Sequence, residues 1–127
     1  MARHASDQPT DVELQILRIL WQDGPSIARH VHNELQTAKQ TTYSTTVKML
    51  SVMLEKGLVK RDEQASPLVY RAAVTRESAG KRFAKHLIEK VYDGAAMGLV
   101  LHALRSTKAS PEELAEVRRL LDRMERK

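Results

Sequence analysis

The sequence predicts a mainly α-helical chain with a single small β hairpin in its first half. Three observations predict it. Apolar residues recur at helical spacing in successive stretches, two short β-prone runs stand close together between residues 58 and 73, and glycine, proline and capping residues punctuate the gaps. With 127 residues the chain can form one compact domain, or a small domain carrying an appended assembly element, and a large enzyme is excluded.

The first helix begins at Thr10-Asp11-Val12-Glu13, which has capping-box spacing: a threonine able to accept from the third helical N–H and a glutamate reaching back. Leu14, Leu17 and Trp21, with Ile16 and Leu20, give this helix a broad apolar face that ends before Asp23-Gly24-Pro25. Ser26 is placed to cap a second helix, on which Ile27, Val31 and Leu35 fall at i, i+4 and i+8, and the polar stretch Gln36 to Gln40 ends it. A third helix runs from about Thr42 to Lys56 and is closed by Gly57, a residue suited to the left-handed conformation. Its two faces differ. Tyr43, Thr46, Val47, Leu50, Met53 and Leu54 form an apolar side, and Ser44, Thr45, Lys48, Ser51, Val52 and Glu55 a hydroxyl-rich outer side.

Leu58 to Asp62 and Leu68 to Ala73 read as the two strands of a hairpin around Ser66-Pro67. A capped start near Thr75 leads into a helix with Phe83, Leu87, Ile88 and Val91, broken at Asp93-Gly94. Met97, Val100, Leu101 and Leu104 stripe the next helix. Ser110-Pro111-Glu112-Glu113 is a capping box with proline in the first turn, opening a last helix whose Leu114, Val117, Leu121 and Met124 repeat in a 3,4,3 pattern. Three helices in so few residues rarely bury enough surface alone, so the seam through Phe83, Leu87, Val91, Val100, Leu101, Leu104, Leu114, Val117 and Leu121 is expected to close against a second copy as an intertwined homodimer.

Helix, helix, helix, hairpin is the winged helix-turn-helix order. Residues 1–74 are expected to form that domain and residues 75–127 a helical dimerisation domain. In such a fold the second helix of the packed pair enters the DNA major groove, where hydroxyls, Lys and Arg meet phosphates and base edges and small side chains permit close approach. Ser44, Thr45, Lys48 and Ser51 fit that need, with Tyr43 beside them. Thr41 and Thr42, at the helix start, are placed either to hold a phosphate or simply to cap. Lys60, Arg61 and Arg71 would bring the wing to the DNA backbone, provided that Asp62 and Glu63 point away.

Charge alone does not force this reading. Of the net +5, residues 1–74 hold nine Lys/Arg against eight Asp/Glu and residues 75–127 twelve against eight, or +1 and +4. The hydroxyl-rich face would serve equally as the plain solvated side of an amphipathic helix, or as the docking face of a winged-helix protein-interaction module.

Several other chemistries are not expected. Without cysteine there is no disulfide or thiolate metal site, and His30 and His32 lie on different faces with no third ligand near in sequence, so neither metal nor cofactor is expected. His30 and Glu34, at i and i+4, are expected to make a surface pair. No Gly-rich phosphate loop, H-E-x-x-H pair or G-x-S-x-G elbow is present, which argues against an enzyme. The start MARHASDQPTDVE has no apolar signal run, and no stretch reaches the roughly 18 apolar residues of a membrane span, so a cytoplasmic protein without membrane insertion is expected.

Thr10-Asp11-Val12-Glu13-Leu14, Leu17 to Trp21 with Gly24-Pro25, Tyr43-Ser44-Thr45-Thr46-Val47-Lys48-Met49-Leu50, Glu55-Lys56-Gly57-Leu58-Val59 and Val69-Tyr70 together resemble the penicillinase repressor (BlaI/MecI) family of transcriptional regulators, over about residues 9 to 125. The resemblance implies a homodimer that binds a palindromic double-stranded DNA operator and represses transcription. It further implies release through a membrane-bound metalloprotease sensor that responds to β-lactams. Cleavage in such relatives falls at an Asn-Phe bond, and His102-Ala103 occupies the corresponding place in Leu99-Val100-Leu101-His102-Ala103; with that pair changed, release by a small ligand stands as an alternative. Many relatives carry a basic wing tip, but Gln64-Ala65-Ser66-Pro67-Leu68 has no positive charge, so fewer wing contacts to phosphate are expected. Copper-responsive relatives carry a cysteine cluster that this chain lacks.

Overall fold

In the computed structural model, residues 9–126 are described. The first eight residues, which begin the expected 1–74 domain and carry part of the signal-peptide reading, lie outside the described residues.

Local chemistry starts the first helix, α1 (Asp11–Asp23), where it was expected. The Thr10 hydroxyl accepts from the Glu13 N–H at 3.2 Å, and the Glu13 carboxylate accepts from the Thr10 N–H at 2.9 Å. Gly24, at φ +79°, ends the helix with its N–H donating to the Leu20 carbonyl at 2.9 Å.

The next segment differs from the expectation. Ser26 does not cap a helix: Ser26–Ile27 form a short strand, β1, and the following helix α2 (Ala28–Leu35) starts after Ile27 with no side-chain cap. Pairing explains the difference. β1 lies antiparallel to β3 (Val69–Ala72) with Ser26 opposite Tyr70, which holds the segment extended, and the Ser26 hydroxyl donates instead to the Gly24 carbonyl at 2.8 Å. The expected two-stranded hairpin, β2 (Val59–Asp62) with β3, is therefore part of a three-stranded sheet of order β1-β3-β2.

Helix α3 (Tyr43–Glu55) is capped by the Thr42 hydroxyl and followed by Gly57 at φ +79°. Thr46, Leu50 and Met53 point into a core shared with Ile16, Leu17, Leu20, Val31, Leu35, Leu58, Val59 and Tyr70, which joins the three helices to the sheet. Two polar ties fasten this core. The Trp21 indole N–H donates to the Val74 carbonyl at 2.9 Å, holding α1 to the chain leaving the hairpin. Lys56 Nζ donates to Glu13 Oε1 at 2.8 Å, linking the end of α3 to the start of α1 through two side chains only 10% and 6% exposed.

Three helices follow: α4 (Arg76–Val91), α5 (Ala96–Ser106) and α6 (Pro111–Glu125). The Thr75 hydroxyl accepts from the Ser78 N–H near the start of α4, and α6 opens with the full Ser110/Glu113 capping box and Pro111 in its first turn. Asp93 at φ 53° and Gly94 at φ +85° turn the chain between α4 and α5. Gly98 lies against the Tyr92 ring, where an added Cβ would come within 2.7 Å. The chain divides into two compact units, one ending at Phe83 and the other beginning at Ala84, so the division falls inside α4. No residue of α5 or α6 is buried, and Val100, Leu101, Leu104, Leu120, Leu121 and Met124 are among the exposed large apolar side chains. Among the described residues no helix is long and apolar enough to cross a membrane.

Candidate nucleic-acid interface

Helices α2 and α3, joined by residues 36–42, make the helix-turn-helix pair, with α3 the second member. Packing of Thr46, Leu50 and Met53 inward turns Ser44, Thr45, Lys48 and Ser51 outward, and all four are exposed. Their shortness leaves the α3 backbone close to the surface that this face presents.

The start of α3 is a cluster of hydroxyls. Thr42 Oγ1 accepts from the Thr45 N–H at 3.2 Å, donates to Thr45 Oγ1 at 2.9 Å and lies 3.2 Å from Ser44 Oγ. Thr42 is thus a working cap as well as an exposed hydroxyl. The Thr41 N–H is already engaged, donating to Gln36 Oε1 at 3.3 Å.

Tyr43 was expected on the inner face and instead is 38% exposed. It is the first residue of α3, beyond the region that the core covers, and its ring rests on two residues of α2 rather than in the interior. The Arg29 guanidinium lies 3.9 Å from the ring centroid, and the His32 ring meets it edge-on at 5.5 Å and 89°. His32 Nδ1 in turn bonds the fully buried Thr46 hydroxyl at 2.9 Å, while Thr46 Oγ1 also donates to the Thr42 carbonyl at 3.3 Å. One polar chain therefore fixes the first turn of α3 against α2.

The sequence did not single out Arg29 or His32 for these roles. Each looks like an ordinary polar residue on a short helix, and only the packing of α2 on α3 brings them to Tyr43. The expected His30–Glu34 pair also gives way: His30 Nε2 bonds Asp23 Oδ2 at 2.7 Å, because the turn after α1 brings Asp23 within reach. Among the described residues no group of three or more His, Cys, Asp or Glu could hold a metal.

In the wing, cross-strand register pairs Lys60 with Arg71 and Arg61 with Tyr70. Directly opposed residues share a sheet face, so Lys60 and Arg71 lie on one side and Arg61 on the other. Glu63 does not point away: its carboxylate accepts from Arg61 Nε at 2.7 Å and, with a smaller contribution from Tyr70, raises the pKa of Arg61 above its ordinary value. Asp62 is occupied locally, accepting from the Gln64 N–H at 2.9 Å. The wing thus offers Lys60 and Arg71 as exposed cations on one face, with Arg61 held by an acid on the other.

In the C-terminal unit, Leu87, Val91, Val100, Leu101, Leu104, Leu114 and Leu121 are exposed, whereas Phe83, at the end of the first unit, and Val117 are half-buried. His102 and Ala103 are exposed on α5, with helical backbone; the His102 carbonyl accepts from the Ser106 hydroxyl.

Comparison with known proteins follows the same lines. The chain matches the family model described as penicillinase repressor over residues 9–123. It is similar to the methicillin resistance regulatory protein MecI of Staphylococcus aureus, 24% identical over 114 residues that cover 90% of this chain and 93% of the relative. It is also similar to the penicillinase repressor of Bacillus licheniformis, 22% identical over 115 residues covering 91% and 90%. Among solved structures it aligns with hsRosR-S4 at 18% identity and TM-score 0.47, covering 76% of this chain and 86% of that one. A variant of Lactococcus lactis ZitR aligns at 18% identity and TM-score 0.44, covering 98% and 79%. The winged-helix assignment rests on this chain's own element order, three helices followed by the hairpin.

Proposed function

The chain belongs to the penicillinase repressor family, and from that premise we propose that it is a DNA-binding transcriptional repressor that acts as a homodimer on a palindromic operator. The observation that carries the reading is the exposed outer face of α3, where Ser44, Thr45, Lys48 and Ser51 stand clear of the core on the second helix of a helix-turn-helix. In this account residues 1–74 bind DNA and residues 75–127 dimerise. Ser44, Thr45, Lys48 and Ser51 face the major groove, with Tyr43 supporting the first turn. Thr41 and Thr42 lie near phosphate, and Arg71 contributes more from the wing than Arg61, whose charge Glu63 already engages.

Dimerisation is supported by the unburied apolar side chains of α5 and α6, a surface that a lone protomer would leave to water. Phe83, Leu87, Val91, Val100, Leu101, Leu104, Leu114, Val117 and Leu121 would form its seam. Release by a membrane-bound metalloprotease at His102–Ala103 would require α5 to unwind locally, since that bond lies within helical backbone.

The test is a band shift on a duplex that the protein selects from a random pool, at several salt concentrations. If about six phosphates are neutralised per dimer, the log-log salt slope is near −5, at about −0.9 for each. Lys48→Ala weakens the selected duplex more than an unrelated one if Lys48 reaches a base, and both equally if it meets phosphate. A flat salt response, or undiminished binding by Ser44→Ala/Lys48→Ala, contradicts the assignment of this face.

A further inference from the structure

We propose that Arg29 is a backbone-phosphate contact, held ready on the Tyr43 ring, that sets how α3 lies on double-stranded DNA; the proposal rests on the DNA-binding reading and adds a residue outside α3 and the wing. Arg29 is exposed, on the first turn of α2, with its guanidinium carbon 3.9 Å from the Tyr43 ring centroid. That ring also makes a T-shaped contact with the His32 ring, and His32 bonds the buried Thr46 hydroxyl at 2.9 Å. The cation therefore stands on a platform anchored to the core rather than waving from the surface.

A guanidinium 3.9 Å above the Tyr43 ring centroid is attracted to the π face without spending any of its N–H donors on a carboxylate, so a phosphate can still be taken up by the planar fork. Among the described residues no carboxylate pairs with Arg29, in contrast to Arg61, which Glu63 engages at 2.7 Å. Tyr43 follows Thr42 and shares the first turn of α3 with Ser44 and Thr45, so Arg29 brings positive charge to a turn whose linked hydroxyls carry none. Phosphate is favoured over a base edge because the first helix of a helix-turn-helix pair crosses the backbone while the second enters the groove. Contacts of that kind orient the protein and carry no sequence information.

The experiment measures fluorescence anisotropy of full-length Arg29→Ala, Arg29→Lys and Tyr43→Leu with the selected duplex and with an unrelated duplex of equal length, across a salt series. Arg29→Ala weakens both duplexes by the same factor, on the order of tenfold. Its salt slope is shallower by about 0.9 for each protomer bound. Arg29→Lys and Tyr43→Leu keep the wild-type slope and lose a few-fold in affinity, the first because a lysine retains charge without the planar, five-donor guanidinium and the second because the aromatic platform is gone. Circular dichroism and Trp21 fluorescence verify that each variant is folded. Unchanged affinity and slope in Arg29→Ala overturn the proposal, as does a loss confined to the selected duplex, which would make Arg29 a base reader. A wild-type protein that enriches no duplex from the random pool and does not bind the unrelated one removes the DNA-binding reading itself, and Arg29 with it.

Discussion

Removing the charge of Lys56 should destabilise the N-terminal unit more than any surface substitution, because it strands Glu13. The two side chains are 10% and 6% exposed, and Glu13 Oε1 receives both Lys56 Nζ at 2.8 Å and the Thr10 N–H at 2.9 Å. Breaking a buried pair by deleting one partner costs about 3–5 kcal/mol. Glu13 keeps one hydrogen bond from the cap, so the lower end applies, and Lys56→Met should cost about 3 kcal/mol. For a chain of this size that corresponds to a melting point lower by roughly 12 °C. The double variant Glu13→Gln/Lys56→Met buries no charge, and glutamine can still serve the capping box, so it should return to within about 1 kcal/mol of wild type. Urea unfolding is followed through the single tryptophan, Trp21, at fixed protein concentration because the proposed dimerisation would couple stability to concentration. A single variant that costs less than about 1 kcal/mol, or a double variant less stable than the single, would refute this account of how α1 and α3 are joined.

Trp21→Phe keeps most of the ring but loses the bond to the Val74 carbonyl, and should cost about 1–2 kcal/mol in thermal or urea unfolding; a change within about 0.5 kcal/mol would mean the bond contributes little. Leu121→Asp places a charge in the proposed dimer seam and should yield monomer in sedimentation experiments at concentrations where wild type is dimeric, since an unpaired buried charge costs several kcal/mol. A variant that stays dimeric would place the interface elsewhere on α4 to α6.

What could be read from sequence was what depends on residues close along the chain. The Thr10/Glu13 and Ser110/Glu113 boxes each close within a single turn, and Gly57 follows α3 with the positive φ that glycine permits. The exposure of Ser44, Thr45, Lys48 and Ser51 followed from helical period alone. Non-local pairing was beyond reach. Ser26 has the residue type of a cap, yet pairing opposite Tyr70 makes it a strand residue. Tyr43 falls on the apolar face by angle, but the core ends before it and Arg29 and His32 take its ring. The Glu13–Lys56 and His30–Asp23 bonds likewise exist only once α1, α2 and α3 are packed. The apolar seams of α5 and α6 were legible as periodic stripes, and their exposure here is what supports a second copy as their cover.

Operator binding by the homodimer is tested by footprinting of the tagged protein across its own genome, followed by hydroxyl-radical footprinting of the strongest site. A homodimer that reads DNA through α3 protects a two-fold symmetric site whose half-sites lie about one helical turn apart, or a multiple of it, with protection lost in Ser44→Ala/Lys48→Ala. A folded protein that enriches no DNA site and instead co-purifies in a stable complex with another protein would contradict it and identify the exposed face of α3 as a protein-docking surface.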